Sequence, residues 1–197
     1  MNESVERRIQ KVEAFVATAE EANALPRVTC EFLYGLILAT GARRGVEVGT
    51  SYGFSGLWLG AAFSQNHGSL VTIDNDIEKH KVAQNHFEQA GLGSQIELVH
   101  GEAADALAAI TGKIDFVLLD ADKENCRQYV EIIQGNLSER AVVAIDNTLT
   151  HAEEMESFLS WIRTNDQFYC CHLELGNGLE LATRWPRVRR SQGVFGM

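Results

Sequence analysis

The amino-acid sequence predicts an α/β fold: a doubly wound, mostly parallel sheet of seven strands with a C-terminal antiparallel hairpin and helices on both faces. Short apolar runs alternate with amphipathic helical patterns along most of the chain, as repeated β-α units require. Two further strand-like segments meet around glycines near the C-terminus, which predicts the hairpin. The chain has 197 residues, 45% of them hydrophobic, which is enough for one such domain spanning 1–197.

Two helices precede the first predicted strand. The first lies within residues 1–24. A second helix is predicted to begin after Pro26. It ends near Gly41, because glycine readily adopts the left-handed conformation of a helix C-terminus. The apolar stripe of the first helix consists of Val5, Ile9, Val12 and Val16.

Five apolar runs predict the parallel strands, at 45–48, 70–73, 96–99, 116–119 and 142–145. The first intervening helix starts near Ser55. The second starts at Asp76 as N-cap and ends at Ala90-Gly91, and a short third helix covers Ala103–Ile110. The fourth helix is predicted from the apolar stripe Cys126, Val130, Ile133 and Leu137.

The C-terminal part of the chain predicts one helix and the hairpin. Thr150 and Glu153 have the spacing of a capping box at the start of that helix. Strands at 168–175 and 179–183 flank Gly176-Asn177-Gly178, where the positive φ angles of a tight turn are accessible. The helix carries the apolar stripe Met155, Phe158, Leu159 and Ile162.

Composition narrows the range of partners. A net charge of −10 argues against nucleic acid, which needs a basic surface. No apolar stretch approaches the roughly 20 residues of a membrane span, and the polar N-terminus predicts a cytoplasmic protein with no membrane partner.

Residues 185–197 are predicted to form a solvated basic tail; the clustered arginines are Arg184, Arg187, Arg189 and Arg190. The four cysteines are expected to be free, buried or half-buried thiols, with Cys170 and Cys171 on opposite sheet faces.

Oxygen-bearing side chains follow two of the predicted buried strands. Asp120 comes directly after the run 116–119, and Asp146-Asn147 follows the run 142–145. Because the carboxyl ends of parallel strands share one edge of the sheet, these groups are expected to meet there. Two carboxylates and an amide oxygen favour a hard divalent cation, with Mg²⁺ first and Ca²⁺ or Mn²⁺ as alternatives.

A glycine-rich turn follows the first predicted strand. Gly49, Gly53 and Gly56 allow a sharp turn and a close approach to a ligand, but Ser51 stands where a dinucleotide loop needs its middle glycine. That spacing argues against a reductase. It suits a nucleoside ligand with a zwitterionic tail. Asp74, at the end of the second strand, can accept hydrogen bonds from the ribose hydroxyls of such a ligand.

These pieces resemble a class I S-adenosylmethionine-dependent methyltransferase, with a Rossmann-like sheet. More narrowly, the chain is similar to the cation-dependent O-methyltransferases that include catechol and caffeoyl-CoA O-methyltransferases. The likeness covers roughly residues 25–184. The matching segments are 46–55 (VEVGTSYGFS), 71–74 (VTID), 101–103 (GEA), 115–123 (DFVLLDADK), 146–147 (DN) and 176–179 (GNGL).

The resemblance implies roles for individual residues. Asp74 with Asn75 would bind the cofactor's ribose, and Lys123 would be the general base beside the acceptor hydroxyl. Asp120 would contribute to cofactor binding, metal binding and catalysis, with Asp146 and Asn147 as further metal ligands. The methionine end of the cofactor would contact Glu47, Gly49, Thr50, Ser51, Gly53 and Ser55. The adenine would lie against Gly101, Glu102 and Ala103.

The implied chemistry is methyl transfer to a hydroxyl of a small, catechol-like acceptor. A phenol with a pKa near 10 is mostly un-ionised at neutral pH, and a bound cation favours its phenolate. We expect a vicinal dihydroxy compound whose two oxygens chelate the metal. Two alternatives stay open: a metal-independent methyltransferase that uses Asp120 to hold the cofactor's amino group, and a non-catalytic S-adenosylmethionine-binding module.

The chain departs from the family pattern on the acceptor side. Cys126 stands where the family usually has tyrosine, and Thr148–His151 lead straight into a helix where the family has a longer segment. These departures leave open an acceptor that differs from a catechol or an acyl-CoA ester, and completion of the pocket by a second subunit of a homodimer. Asp122 is expected to orient Lys123 rather than bind metal. Packing roles are expected for Tyr52 and Trp58, and a cap role for His151.

Overall fold

A computed structural model describes residues 1–19 and 22–185, and it contains one seven-stranded sheet in the order β3-β2-β1-β4-β5-β7-β6. The strands are β1 (Arg44–Val48), β2 (Ser69–Asp74), β3 (Ile96–His100), β4 (Ile114–Leu119), β5 (Leu137–Asp146), β6 (Phe168–Leu173) and β7 (Leu179–Arg184). The helices are α1 (Glu3–Val16), α2 (Arg27–Thr40), α3 (Phe54–Gln65), α4 (Ile77–Gln89), α5 (Ala103–Ala109), α6 (Cys126–Ile133) and α7 (Ala152–Thr164).

The sheet is parallel from β1 to β5 and antiparallel at its C-terminal edge, where β7 lies between β5 and β6. One apolar core lies under α1 to α4, with Phe63 and Phe116 among its buried residues. A second core lies under α5, α6 and α7, with Val130 and Ile162 among its members. Helices therefore cover both faces, and the predicted fold class is confirmed.

Several local predictions are confirmed by contacts. The Asp76 carboxylate accepts hydrogen bonds from the backbone amides of Glu78 and Lys79, so it is the N-cap of α4. Gly41 ends α2 with a φ of 67°. Gly176 and Gly178 have φ angles of 57° and 90° in the turn before β7.

Other predictions are wrong. Leu137 does not extend the α6 stripe but begins the ten-residue β5. The predicted capping box does not form: α7 has no side-chain cap, because the Thr150 hydroxyl donates to Asn147 Oδ1 and also contacts His151. β6 ends at Leu173 rather than at residue 175.

Two predictions about the C-terminal region and the thiols also need correction. Arg184 is the last residue of β7 and donates to the Gln134 and Leu137 carbonyls, so it is not part of a solvated tail. Arg187, Arg189 and Arg190 lie outside the described residues. All four cysteines are free as expected, but Cys171 is exposed while its neighbour Cys170 packs against the second core. Within residues 1–19 and 22–185, no helix has the length and apolar character needed to cross a membrane.

The backbone at Gly49 passes unusually close to the loop after β4. Gly49 has a φ of 102°, and a Cβ added there would overlap the Asp120 carbonyl oxygen and lie 2.8 Å from its carbon. Its amide donates to the Ile73 carbonyl at 2.9 Å, while the Asp120 amide donates to Val48 at 3.0 Å. A glycine is therefore required where the turn after β1 meets the turn after β4.

The Gly49→Ala substitution tests this close approach. We expect it to lower the free energy of unfolding by about 3 kcal/mol, because an unfavourable φ and a clash with immobile backbone add together. Gly41→Ala is the control: its φ is also positive, but nothing lies within 4 Å of the new Cβ, so it should cost only about 1 kcal/mol. Urea unfolding measures both. Equal losses for the two variants would contradict the close approach.

Candidate functional site

A cavity of about 840 Å³ opens at the carboxyl edge of the parallel strands. Its position is the one expected for a ligand site in an open α/β sheet. Most of the predicted site residues line it: Gly49, Thr50, Ser51, Ser55, Asp74, Asn75, Gly101, Glu102, Ala103, Asp120, Lys123 and Asn147. Glu47, Gly53 and Asp146 are not among its lining residues and lie behind it.

The turn between β1 and α3 forms the centre of the cavity. Ser51 has a φ of 46°, and its backbone amide donates to Asp74 Oδ2 at 2.7 Å. The Ser51 hydroxyl donates to the Ala22 carbonyl at 3.0 Å, which ties the α1–α2 connection to this turn. Gly53, with a φ of 84°, precedes α3 and packs against the Phe87 ring. The turn is thus fixed on both sides.

One end of the cavity lies over β2 and β3. Asp74 Oδ1 accepts the Asp76 amide at 2.9 Å, so both carboxylate oxygens are held by backbone donors and keep lone pairs for a ligand. The Asn75 amide donates to Glu102 Oε1 at 3.2 Å, and Glu102 immediately precedes α5. These contacts leave two adjacent acceptors in position to bind vicinal hydroxyl groups.

Glu47 is a fully buried carboxylate near the C-terminal end of β1. It accepts the Thr72 hydroxyl at 2.6 Å, and its other oxygen, Oε1, has no partner. Burial raises the pKa of Glu47 to about 7, and the Ser55 and Thr72 hydroxyls oppose that rise. The predicted contact of Glu47 with a cofactor stays a prediction, since Ser55 and not Glu47 lines the cavity.

Two carboxylates converge on one amide at the ends of β4 and β5. Asn147 Nδ2 donates to Asp120 Oδ1 and to Asp146 Oδ2, both at 2.8 Å. Asp146 Oδ1 is buried without a hydrogen-bond partner. Burial raises the pKa of both carboxyls, to about 7 for Asp146, and the neighbouring Asp120 charge adds to that effect.

This arrangement suits a hard divalent cation. Among the described residues no three His, Cys, Asp or Glu side chains are grouped as a metal site, so any third ligand must be of another type. The Asn147 amide would be that ligand if its side chain were flipped, since Oδ1 would then lie between the two carboxylates. The unpartnered Asp146 Oδ1 and the like-charged pair are what a cation would satisfy.

Lys123 lies beside the carboxylates. Its Nζ donates to the Ala121 carbonyl at 2.7 Å and is 3.8 Å from Asp120 Oδ1, and both side chains are only 13% exposed. Asp122 does not have the expected contact with Lys123. Its carboxylate instead accepts the Tyr129 hydroxyl at 2.7 Å and the Asn125 amide at 3.2 Å.

The structure reveals site residues that the sequence motifs did not single out. Tyr129, on α6, lines the cavity and holds the turn that carries Lys123. Asn177, in the β6–β7 turn, donates to Asp146 Oδ2 at 3.4 Å. Leu25 and its neighbours close the cavity from the α1–α2 connection. Of these residues, only Asn177 could have been found from the sequence, because its turn belongs to a segment that matches the family pattern.

Of the two residues with expected packing roles, one only packs and the other also lines the cavity. Trp58 is buried, with its ring edge-on to Tyr34 and the Arg27 guanidinium above it, as expected. Tyr52 packs edge-on against Phe15, but it also lines the cavity. His151 occupies the N-cap position of α7, as expected, without a capping hydrogen bond.

The Glu47 environment makes folding stability depend on pH. Between its ordinary pKa of 4.5 and the native value of about 7, the native state keeps a proton that the unfolded chain loses. The contribution of Glu47 to stability is therefore fully present below pH 4.5, and about 3 kcal/mol of it is lost as pH rises through about 7. We expect Glu47→Gln to remove this part of the pH dependence.

Urea unfolding at about pH 5 and about pH 8 measures the effect. The difference between wild type and Glu47→Gln isolates this group, because Asp120 and Asp146 contribute to both proteins. Glu97→Gln, at an exposed position on β3, should keep the wild-type slope. An unchanged slope in Glu47→Gln would show that Glu47 is not protonated in the native state.

Comparison with known proteins identifies the relatives of this chain. A family model described as O-methyltransferase matches residues 5–184. A catechol O-methyltransferase of Mycobacterium tuberculosis is 34% identical over 69% of this chain and 64% of its own length. A caffeoyl-CoA O-methyltransferase of Zea mays is 26% identical over 78% of this chain and 69% of its own length.

A solved structure shows the same fold. The O-methyltransferase of Bacillus cereus, in complex with SAH, superposes with a TM-score of 0.80 over 93% of this chain and 91% of that one, at 23% identity. The family model covers nearly all of the residues that form the sheet and the cavity. The chain therefore belongs to the O-methyltransferase family of enzymes.

Proposed function

We propose that the protein transfers a methyl group from S-adenosylmethionine to one hydroxyl of a small vicinal dihydroxy aromatic compound, with the help of a divalent cation, Mg²⁺ first. The observation that carries this proposal is the convergence of Asp120 and Asp146 on the Asn147 amide, with both contacts at 2.8 Å. Asp120, Asn147 and the adjacent Lys123 line the same cavity as the Asp74 acceptors. The SAH bound to the B. cereus relative and the catechol named for the M. tuberculosis relative support it.

The two ends of the cavity divide the task. The β1 turn, Asp74 and the segment at Glu102 would hold the cofactor, because β2 and β3 lie on one side of β1. β4 and β5 lie on the other side, so Asp120, Lys123 and Asn147 would hold the acceptor. Holding both in one site makes the reaction effectively unimolecular.

In the transfer step, the acceptor oxygen attacks the methyl carbon in line with the carbon–sulfur bond. That bond breaks, its electron pair returns to sulfur, and the demethylated cofactor leaves as a neutral thioether. Lys123 would receive the hydroxyl proton as general base, a step that requires its amine to be neutral when the acceptor is bound. Asp120, Asp146 and Asn147 would hold the cation, which when bound favours the ionised acceptor oxygen and fixes its position.

A metal-independent reaction is the second candidate, and one contact favours it. Lys123 lies 3.8 Å from Asp120, so an ammonium already offsets part of the negative charge. Asp120 would then hold the amino group of the cofactor. The metal-independent reaction leaves Asp146 Oδ1 buried without a hydrogen-bond partner. Because an unpaired buried polar atom costs free energy, we prefer the metal-assisted reaction.

Calorimetric titration with Mg²⁺ separates the two candidates. We expect wild type to bind Mg²⁺, Asp146→Ala to lose the binding, and methylation of pyrocatechol to fall by about 100-fold or more, because metal assistance contributes several kcal/mol. Glu156→Gln, at an exposed position on α7, is the control and should bind as wild type does. Turnover that neither needs Mg²⁺ nor responds to chelator would establish the metal-independent reaction.

Cofactor binding is tested with SAH and Asp74. At 100 times its Kd, SAH should stabilise the protein by about 2.7 kcal/mol. Asp74→Ala should weaken SAH binding by about 10- to 100-fold, because hydrogen bonds from ribose to a charged acceptor are lost. Asp76→Ala, which removes the α4 cap but does not line the cavity, should leave the Kd unchanged. Equal Kd values for wild type and Asp74→Ala would remove Asp74 from the cofactor site.

A further inference from the structure

The acceptor half of the cavity, under the β4 and β5 ends, is strongly acidic. Asp120, Asp122, Glu124 and Glu154 contribute carboxylates to this half, and its basic side chains among the described lining residues are Lys123 and His151. Asp146 adds a further carboxylate directly behind Asn147. The negative charge therefore exceeds what a single divalent cation neutralises.

Three of these carboxylates have no part in the proposed metal site, and Asp122 is already engaged by Tyr129 and Asn125, which leaves Glu124 and Glu154. Glu124 lies in the turn after Lys123, and Glu154 lies in the first turn of α7. Both residues are exposed and line the cavity. Glu154 and Glu153 occupy the end of α7 where its dipole would otherwise favour an anion. The mouth of the acceptor half thus carries fixed negative charge.

The basic side chains of the described cavity lining either lie at the cofactor end or already contact neighbouring groups. Lys79 lies at the cofactor end, 5.7 Å from the Tyr52 ring and 3.9 Å from Asp76. Lys123 is held by the Ala121 carbonyl and Asp120, and the His151 ring contacts the Thr150 hydroxyl at 3.1 Å. An acceptor bearing phosphates or a carboxylate would therefore meet like charge, with no unengaged basic side chain of the described acceptor half to pair with it.

From this charge distribution we propose that Glu124 and Glu154 determine acceptor specificity: the site prefers neutral or cationic dihydroxy aromatics, above all those with a protonated amine, and excludes anionic ones such as acyl-CoA esters. The inference rests on the proposed function. A caffeoyl-CoA O-methyltransferase is among the relatives of this chain, so the family name alone does not decide the charge of the acceptor.

The experiment compares kcat/KM for three catechols of similar size: dopamine (cationic), pyrocatechol (neutral) and 3,4-dihydroxybenzoate (anionic), each with saturating S-adenosylmethionine and Mg²⁺. At low salt we expect dopamine to exceed 3,4-dihydroxybenzoate by about 10-fold or more. The ratio should shrink at about 0.5 M salt, because exposed charges are screened. Caffeoyl-CoA should be the poorest acceptor.

Charge-neutral variants assign the effect to residues. Glu124→Gln and Glu154→Gln should each lower the dopamine-to-dihydroxybenzoate ratio by about threefold, and the double variant by about tenfold. Glu156→Gln is the matched control on α7, since it removes the same charge from a position outside the cavity lining, and its ratio should stay at the wild-type value.

The outcomes separate this inference from the proposed function. Methylation of pyrocatechol with equal or better use of 3,4-dihydroxybenzoate than dopamine would overturn the charge preference while supporting O-methylation. A ratio that Glu124→Gln and Glu154→Gln leave unchanged would overturn the assignment to these residues. No methylation of pyrocatechol, dopamine or dihydroxybenzoate would overturn the proposed function, and the acceptor preference with it.

Discussion

The repulsion between two buried carboxylates at the ends of adjacent parallel strands is the constraint on which the rest of the site depends. Leu119 and Ile145 are register partners, so the next residues, Asp120 and Asp146, are brought together by the sheet itself. Burial raises the pKa of both carboxyls, and the Asp120 charge raises the pKa of Asp146 further, so two negative charges are disfavoured there. Asn147 bridges them with a φ of 67°, an uncommon conformation that the surrounding turn maintains. A cation at this position, as proposed, would resolve the conflict.

The surrounding structure keeps this arrangement rigid and joins it to the cofactor end. Gly49 lets the turn after β1 lie directly against the Asp120 backbone, so the two halves of the cavity share a wall. Tyr129 anchors the turn that presents Lys123, and Asn177 reaches Asp146 from the hairpin. The acidic residues Glu124 and Glu154 stand further out, where they can influence which acceptor enters without contacting the reacting atoms.

The sequence predicted most of the fold because its signals are local. Apolar runs locate β4 and β5, and the cap at Asp76 is satisfied within its own helical turn. Leu137 was misassigned because an apolar residue fits both the end of a helical stripe and the start of a strand. The Thr150 cap failed because its hydroxyl bonds to Asn147, which is part of the site. The contacts of Asp122 with Tyr129 and of Asp146 with Asn177 depend on tertiary packing, which motif spacing does not encode.

The role of the paired carboxylates can be examined directly by anomalous diffraction from crystals grown with Mn²⁺ and SAH. Mn²⁺ favours oxygen ligands as Mg²⁺ does, and its position is visible without assumptions about the ligands. We expect one strong peak bounded by Asp120, Asp146 and the Asn147 amide, with SAH lying across the β1 turn toward Asp74. SAH in that place with no peak between the carboxylates, or a peak at other residues, would contradict the cation-assisted site.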